Sequence, residues 1–437
     1  MWFSSGCTLV LVCAFSQVAQ AYTTFEPECT NPKEAVNYVG SPPTRGTLDI
    51  LWSSLFTIFA CTWTVLHLNV PEQRDGRDPG VWGDLKWGMK AFWGKAKWML
   101  TTVLAPEFLL YYGTSRLLNS REQHPKIKAF ADADHVPWTL AHTTFADMGG
   151  FVIRGKSDRI GKDPSGFEFE FEQVTTEWYI LDLDTILKLR SEGHITLPCI
   201  PKAEIDDHSK GDIFAKGIAA AQIIWTISSA ITRAIRGLAI SQLEISVIAF
   251  SVCALLLYGC YWSSPKDVSV PIDFFHWGGP IPSKITEIIR GADPHRIDEF
   301  PEVKIGQTAF TNGTAHRPKS DLDFYTFMFG VLFFGGPHLL AWNFEFPTLV
   351  ERTIWRVASL YCSLFGLIFV IIYLIGQLFP SITDDQLDVV SGFLIIPTMI
   401  TYAIARLFLI AEMFRTLFFL PPSAYIATWT SNVPMFG

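Results

Sequence analysis

Residues 98–115 read WMLTTVLAPEFLLYYGTS, and this stretch decides which kind of fold the chain adopts. It lies between Lys97 and Arg116, carries no basic residue, and has Pro106 and Glu107 at its centre. Such a run is either a buried helix of a soluble protein with a kink at the proline, or a membrane-spanning helix with a carboxylate at depth. The rest of the chain decides between these two interpretations.

The composition favours a membrane protein. Of the 437 residues, 49% are hydrophobic and only 17% are charged, and the mean hydropathy is positive. A chain with so few polar groups cannot cover the surface of a large soluble protein. Seven apolar runs approach the ~20 residues that a bilayer core requires, namely 48–68, 98–115, 213–231, 242–262, 324–342, 357–379 and 389–411. The sequence therefore predicts an all-α polytopic membrane protein of about seven transmembrane helices, with a small α+β exofacial segment and an N-terminal signal peptide.

The N-terminus and the loop charges predict an orientation. Residues 1–21, MWFSSGCTLVLVCAFSQVAQA, end in the small-x-small pattern of a signal-peptidase site, which favours a cleaved signal peptide over a first membrane anchor. The mature N-terminus would then face the lumen or the cell exterior. The loops after the first, third and fifth runs are basic and the loop after the sixth is acidic, so this orientation obeys the positive-inside rule.

This topology divides the chain into eight segments. They are a signal peptide at 1–21, a lumenal or extracellular N-terminal segment at 22–47, the first two spans with a basic interfacial helix between them at 48–118, an exofacial α+β cap at 119–212, spans three and four at 213–262, an irregular exofacial proline-rich loop at 263–323, spans five to seven at 324–415, and a cytosolic tail at 416–437. Within the cap, FVIR at 151–154 and FEFEFEQVTTEWYI at 167–180 predict strands. LDTILKLRSEG predicts a short helix that Gly193 closes.

The segment before the second run, WGDLKWGMKAFWGKAKW, has the pattern of a helix in the headgroup layer. Its apolar residues share one face of a helical wheel, namely Leu85, Met89, Phe92, Trp93 and Ala96. Three lysines cluster beside that face, namely Lys86, Lys90 and Lys97. We expect the lysines to contact anionic lipid headgroups, with a solvated helix as the alternative. No basic tract suits nucleic acid.

Ionisable residues in or beside the apolar runs are the candidates for chemistry, because charges are costly there. Six are candidate catalytic residues, namely Glu107, His67, His142, Asp147, His338 and Glu345. Glu107 stands out, because Pro106 frees a backbone carbonyl and opens a polar notch beside it. A structural bond to another span is the competing interpretation. His67 and the pair His338 and Glu345 could converge at one membrane boundary, but no spacing resembles a metal site, and the cofactor is unknown.

Other polar residues have structural or covalent interpretations. Arg406 is expected to snorkel to headgroups, and Glu412 to pair with Arg415 on the same helix. Cys29 and Cys199 are the two cysteines outside the signal peptide and the spans, and we expect them to form a disulfide on the oxidising side. Asn312 begins a glycosylation sequon in the predicted exofacial loop.

Several stretches resemble a large family of polytopic membrane proteins from filamentous fungi. They are RGTLDILWSSLFTIFACTWTVLHLNVP, LAPE in the second run, FADMGGF, DHSKGD, QLEIS and LPPSAY near the end. The resemblance covers nearly the whole chain and implies fungal origin, a signal peptide and several spans. That family has no established activity, so the resemblance implies no catalytic residue.

Three functions remain open. The first is a membrane-embedded enzyme or accessory factor that acts on a lipid-like or apolar small molecule, favoured by the cap and the proline-glutamate notch. The second is a transporter or channel, which needs a polar pathway through several spans. The third is a seven-span receptor, against which stand the unequal loops and the short tail. A purely structural role is a fourth possibility. Each places the protein as a multi-pass component of the endoplasmic reticulum, the secretory pathway or the plasma membrane.

Overall fold

The computed structural model describes residues 35, 43–71, 73–74, 78–157, 175–209, 212–292, 321–368, 370–371, 374 and 384–428. Within these residues, long apolar helices form one part of the protein, and a three-stranded sheet with short helices forms the other. The sheet part has a large cluster of buried apolar side chains around β1 and a small one of Val152, Trp178 and Ile180, and the helical part has two clusters.

The helices and strands follow one another along the chain as follows. They are α1 Thr47–Thr64, α2 Val81–Leu104, α3 Pro106–Ala133, α4 Leu140–Asp147, β1 Phe151–Ser157, β2 Thr175–Leu181, α5 Leu183–Ser191, α6 Lys202–Asp207, α7 Asp212–Ile235, α8 Gln242–Cys260, β3 Ile272–His276, α9 Ser283–Ala292, α10 Asp321–Gly335, a 3₁₀ helix Gly336–Asn343, α11 Leu349–Leu364, α12 Asp384–Arg415, and short 3₁₀ turns Thr416–Phe418 and Pro422–Tyr425.

Three helices in the described part of the chain are long and apolar enough to cross a membrane, so the prediction of about seven spans is wrong. They cover Lys216–Ile235, Gln242–Cys260 and Phe393–Phe418. The other runs fail for local reasons. Asp49 and several serines and threonines lower the mean hydropathy of α1. The run at 98–115 is divided between α2 and α3. Helices α10 and α11 have only 15 and 16 residues. A bilayer core requires ~20 residues in one straight helix.

The two ends of the described chain lie side by side. Thr44 pairs with Ile426 in an antiparallel bridge, and the Arg45 N–H donates to the Tyr425 carbonyl at 2.9 Å. The Arg45 guanidinium also donates two hydrogen bonds to Glu244, of 2.6 and 3.1 Å. The seven-span topology placed one of these ends outside and the other inside, and their direct contact contradicts that assignment.

The sheet has the order β2-β1-β3. β1 runs antiparallel to β2, with Phe151 opposite Leu181, and parallel to β3, with Phe151 opposite Ile272. The strand predicted at 151–154 is confirmed, and β2 confirms the end of the strand predicted at 167–180, of which residues up to 174 lie outside the described ones. The predicted helix is α5, and Gly193 follows it with a φ of +74°.

The segment 263–323 was predicted as irregular loop, and this prediction is wrong for its first half. It contributes β3 and α9 to the sheet part. Five residues are too few to show a strand period, and the partner of β3 lies far back in the sequence. The predicted boundary between residues 118 and 119 falls inside α3. Leu110 packs in the helical part and Ile127 in the sheet core, so α3 joins the two parts.

Candidate functional site

The stretch 98–115 is neither a kinked helix nor a single span, because the chain reverses direction at Ala105. The helical conformation is disfavoured for the residue before a proline. Ala105 precedes Pro106 and has a non-helical backbone, with φ −148° and ψ 70°. The rings of Trp98 and Tyr112 lie 5.7 Å apart, between their centroids. One straight helix would separate these residues by about 21 Å. Helices α2 and α3 therefore form a hairpin, and residues 103–107 are its tip.

Arg406 of α12 caps the first helix of this hairpin. Its Nε donates to the Leu104 carbonyl at 2.9 Å, and its Nη2 donates to the Val103 carbonyl at 3.3 Å. The last carbonyls of a helix have no partner within that helix, and Pro106 has no N–H to offer. Arg406 is only 2% exposed. The expectation that it snorkels to headgroups is therefore wrong.

Glu107 begins the second helix of the hairpin and is buried. Its Oε1 accepts a short hydrogen bond from the Tyr402 hydroxyl. Tyr402 lies one helical turn before Arg406 on α12, so both side chains face the hairpin tip. The charge of Arg406 acts on the Glu107 carboxyl. Of the two interpretations of Glu107, the structure shows the bond to another helix.

His338, in the 3₁₀ helix after α10, packs against the same Phe334 ring as Arg406. The ring centroids of His338 and Phe334 are 5.4 Å apart, and the Arg406 guanidinium carbon lies 4.7 Å from the centroid of the same Phe334 ring. Nδ1 of His338 is 3.2 Å from the Phe334 carbonyl, and the imidazole is fully buried. We refer to Glu107, Tyr402, Arg406 and His338 as the tip cluster.

Three polar atoms of the tip cluster are buried and have no hydrogen-bond partner among the described residues. They are Oε2 of Glu107, Nη1 of Arg406 and Nε2 of His338. Burying a polar group without a hydrogen bond costs on the order of 1–3 kcal/mol, and more for a charged group. Buried polar groups in native proteins are nearly always hydrogen-bonded, so each of these three atoms has capacity for a further partner such as water or a bound polar group.

A small cleft with a cavity volume of about 10 Å³ adjoins the tip on the side of α1 and α8. Its lining is apolar apart from two threonines and two thiols, and consists of Cys61, Thr62, Val65, Thr102, Pro106, Phe250, Cys253, Ala254 and Leu257. The Cys253 thiol lies 4.0 Å from the Pro106 carbonyl. A cavity of this size holds about one water molecule, so the helices are closely packed beside the tip.

Two other candidates, His67 and Asp147, come together around Arg116, which the sequence marked only as the end of the run. Arg116 Nε donates to Asp147 Oδ2 at 2.9 Å, and Nη1 donates to the His67 carbonyl at 3.2 Å. Arg116 also bonds the Asn69 side chain. The His67 ring stacks on Tyr261 with centroids 4.5 Å apart. This Arg116 cluster joins the end of α1 to α3 and α4, so Asp147 has a structural role.

His142 also has a structural role. Its Nδ1 accepts from the N–H of Thr139 at 3.2 Å, which caps α4, so Nε2 carries the proton and donates to the Ile200 carbonyl at 2.8 Å. Burial lowers the pKa of His142, although the bond to Ile200 opposes this. Both ring nitrogens make hydrogen bonds, and the neutral imidazole links α4 to the loop before α6.

The expected convergence of His67, His338 and Glu345 is wrong. His67 packs on Tyr261, whereas His338 packs on Phe334, and Glu345 is exposed. In the described ranges, no group of three or more His, Cys, Asp or Glu side chains is placed to hold a metal ion.

Most of the residues predicted to be covalently modified or cleaved lie outside the described part of the chain. Cys199 is exposed, but Cys29, Asn312 and the signal peptide at 1–21 lie outside the described residues. The disulfide and the glycosylation therefore stay predictions.

Taken together, the fold defines a mostly helical protein with three helices that can cross a membrane and a small mixed sheet. A family of unknown function, DUF8562, matches residues 18–283, which is more than half of the chain. The protein belongs to this family, and the prediction of an uncharacterised family is confirmed. The match includes the hairpin and the sheet, whereas His338 and α12 lie beyond it. No curated protein and no solved structure matches the chain.

Proposed function

We propose that this is a multi-pass membrane protein of the secretory pathway or plasma membrane, and that it acts as an enzyme or accessory factor on a lipid-like or apolar small molecule. The observation that carries the proposal is the set of three buried, unpartnered polar atoms that the described residues leave in the tip cluster. The fungal origin that the resemblance implies is part of the same proposal.

The chemistry of these atoms suits the polar end of an amphiphile. A carboxylate oxygen accepts a hydrogen bond, a guanidinium N–H donates one, and an imidazole nitrogen does either. A hydroxyl or ester group offers matching donors and acceptors. The exposed apolar side chains of α12 would contact the apolar part of the same molecule. Glu107 is then placed to accept a proton from a bound hydroxyl, and Arg406 to stabilise negative charge that develops beside it.

The surface of α12 supports a position within a bilayer. The helix buries Tyr402 and Arg406 on one side and exposes large apolar residues on the other, namely Phe393, Ile396, Ile400, Ile404 and Leu407. An exposed apolar face of this length is typical of contact with lipid or another protein. The described residues of α7 expose Ile224, Ile231 and Ile235 in the same way.

The hairpin itself favours a second candidate function, a transporter or channel. Helices that break within the membrane, with free carbonyls and charges at the break, are typical of substrate and ion sites in secondary transporters. The tip of α2 and α3 shares the helix break and the buried ionisable groups, Glu107 and Arg406, although Arg406 already bonds the carbonyls of Val103 and Leu104.

The experiment is native mass spectrometry of the full-length protein purified in nanodiscs, with organic extraction of bound molecules. We compare the natural protein with Glu107→Gln and with Glu122→Gln, a matched control at an exposed glutamate of the same helix. We expect a hydrophobic molecule of defined mass on the natural protein and the control, with occupancy lost in Glu107→Gln. Equal occupancy in all three would show that the tip cluster binds no such molecule.

Metabolite profiling separates the two functions. Cells that lack the gene should accumulate or lose particular lipids or secreted products if the protein is an enzyme or accessory factor. An unchanged profile together with altered solute or ion uptake would instead support the transporter.

A further inference from the structure

Helix α2 has three distinct surfaces along its length. The first faces the protein. Lys95 on this surface donates to Asp267 at 2.6 Å and lies over the Trp63 ring at 4.4 Å, and Trp98 packs on Tyr112. These contacts determine which side of the helix points away from the rest of the protein.

The second surface is apolar and faces outward. Its large side chains are Trp82, Leu85, Met89, Phe92, Trp93 and Leu100, and each is more than half exposed. At 100° per residue they fall within one continuous face that contains no charged residue. Exposing six large apolar side chains together is costly in water, since each would gain about 1.5–3 kcal/mol from burial.

The third surface is a row of lysines along one edge of the apolar face. Lys86, Lys90 and Lys97 lie on this edge and are all exposed. Lys90 Nζ lies 4.6 Å from the Trp87 ring and Lys97 Nζ lies 5.9 Å from the Trp93 ring, so the ammonium groups stay beside interfacial aromatic rings. The row runs along the helix, parallel to the apolar face.

We propose that the outer face of α2 lies in the headgroup layer of the bilayer and that the lysine row binds anionic phospholipid headgroups. An apolar face inserted at the acyl boundary places flanking lysines at the level of the phosphates. Charge complementarity favours anionic lipid over a second copy of the chain, whose matching face would bring like charges together. The inference is independent of the proposed function of the tip cluster.

The test is hydrogen exchange of the full-length protein in two kinds of nanodisc, one of phosphatidylcholine and one of an equal mixture of phosphatidylcholine and phosphatidylglycerol. We expect the amides of residues 81–97 to exchange more slowly in the mixed nanodiscs, by about fivefold for each lysine that binds a headgroup. In Lys86→Gln/Lys90→Gln/Lys97→Gln this difference between the lipids should vanish.

The matched control replaces three exposed lysines of the sheet part, in Lys126→Gln/Lys128→Gln/Lys202→Gln, and should keep the difference. A further variant, Met89→Glu, places a charge in the apolar face and should speed exchange in both nanodiscs. Equal exchange of the natural protein in the two lipids would overturn headgroup binding. Exchange in both nanodiscs as fast as in detergent would overturn docking on the bilayer. Protection found only with two chains in each nanodisc would show that a second copy covers the face.

Discussion

Replacing Glu107 by glutamine removes one charge from the hairpin tip while keeping the shape of the side chain. The amide oxygen still accepts the hydrogen bond of Tyr402, but Arg406 loses the carboxylate whose charge acts on it. An amide N–H in place of Oε2 leaves a buried donor without an acceptor among the described residues, which costs roughly 1–3 kcal/mol. We expect the upper end, about 3 kcal/mol, because this N–H replaces an oxygen on which the Arg406 charge acts favourably.

Thermal unfolding with a thiol-reactive dye measures this loss. Cys61, Cys253 and Cys362 are buried and react with the dye only when the helices separate. A loss of about 3 kcal/mol lowers the midpoint of unfolding by on the order of 5 °C.

Glu122→Gln is the control. Its carboxylate is exposed and lies 3.8 Å from Lys126, one turn away, and such pairs contribute only about 0.3–0.5 kcal/mol. Equal midpoints for Glu107→Gln and the control would refute the reasoning, because they would show that Arg406 does not depend on the Glu107 charge.

Three further predictions concern other charged groups. Arg116→Met should lower the unfolding midpoint at least as much as Glu107→Gln, since it leaves a buried carboxylate unpaired at a cost of about 3–5 kcal/mol; a change as small as that of the surface control would contradict this. A hydrogen bond from Arg190 lowers the pKa of Asp134 below its ordinary 3.8, so its stabilisation is present at neutral pH and lost as the pH falls through the folded-state value. In urea unfolding, Asp134→Asn should therefore be less stable than the natural protein at neutral pH and equal to it once the pH lies below the folded-state pKa of Asp134, and a pH-independent difference would argue against the ion pair. Arg233→Met should speed hydrogen exchange at residues 423–427, where Arg233 binds the carbonyls of Ser423, Ala424 and Ile426, whereas the exposed Arg236→Gln should leave it unchanged.

The sequence predicted Glu107 and His338 as residues of the candidate site, but it did not predict the side chains that they contact. Proline beside glutamate in an apolar run drew attention to Glu107, and burial of His338 follows from its surroundings in the sequence. Tyr402 was not predicted, because a tyrosine in an apolar run has no distinctive signal. Glu412 was expected to pair with Arg415, yet Arg415 bonds Glu351 of α11 at 2.8 Å. Helical spacing permits a pair, but a carboxylate on a neighbouring helix competes for the same guanidinium.

The sequence by itself determined the local features of this protein. Apolar composition implied helices that can cross a membrane, alternation and turn residues implied β1 and α5, and the wheel of α2 implied its apolar face and its lysine edge. Each of these depends on residues within one or two turns of each other, so the local pattern is sufficient.

Only the tertiary structure decided the number of helices that can cross and the direction of the chain at Ala105. The run at 98–115 reverses because Arg406, 302 positions further along the chain, satisfies the carbonyls that the break at Pro106 exposes. Without such a partner, breaking a helix inside an apolar environment would cost several kcal/mol for each unsatisfied group. Hydropathy measures how much a segment prefers lipid to water, but it does not contain the identity of the distant side chain that makes a turn in that segment stable.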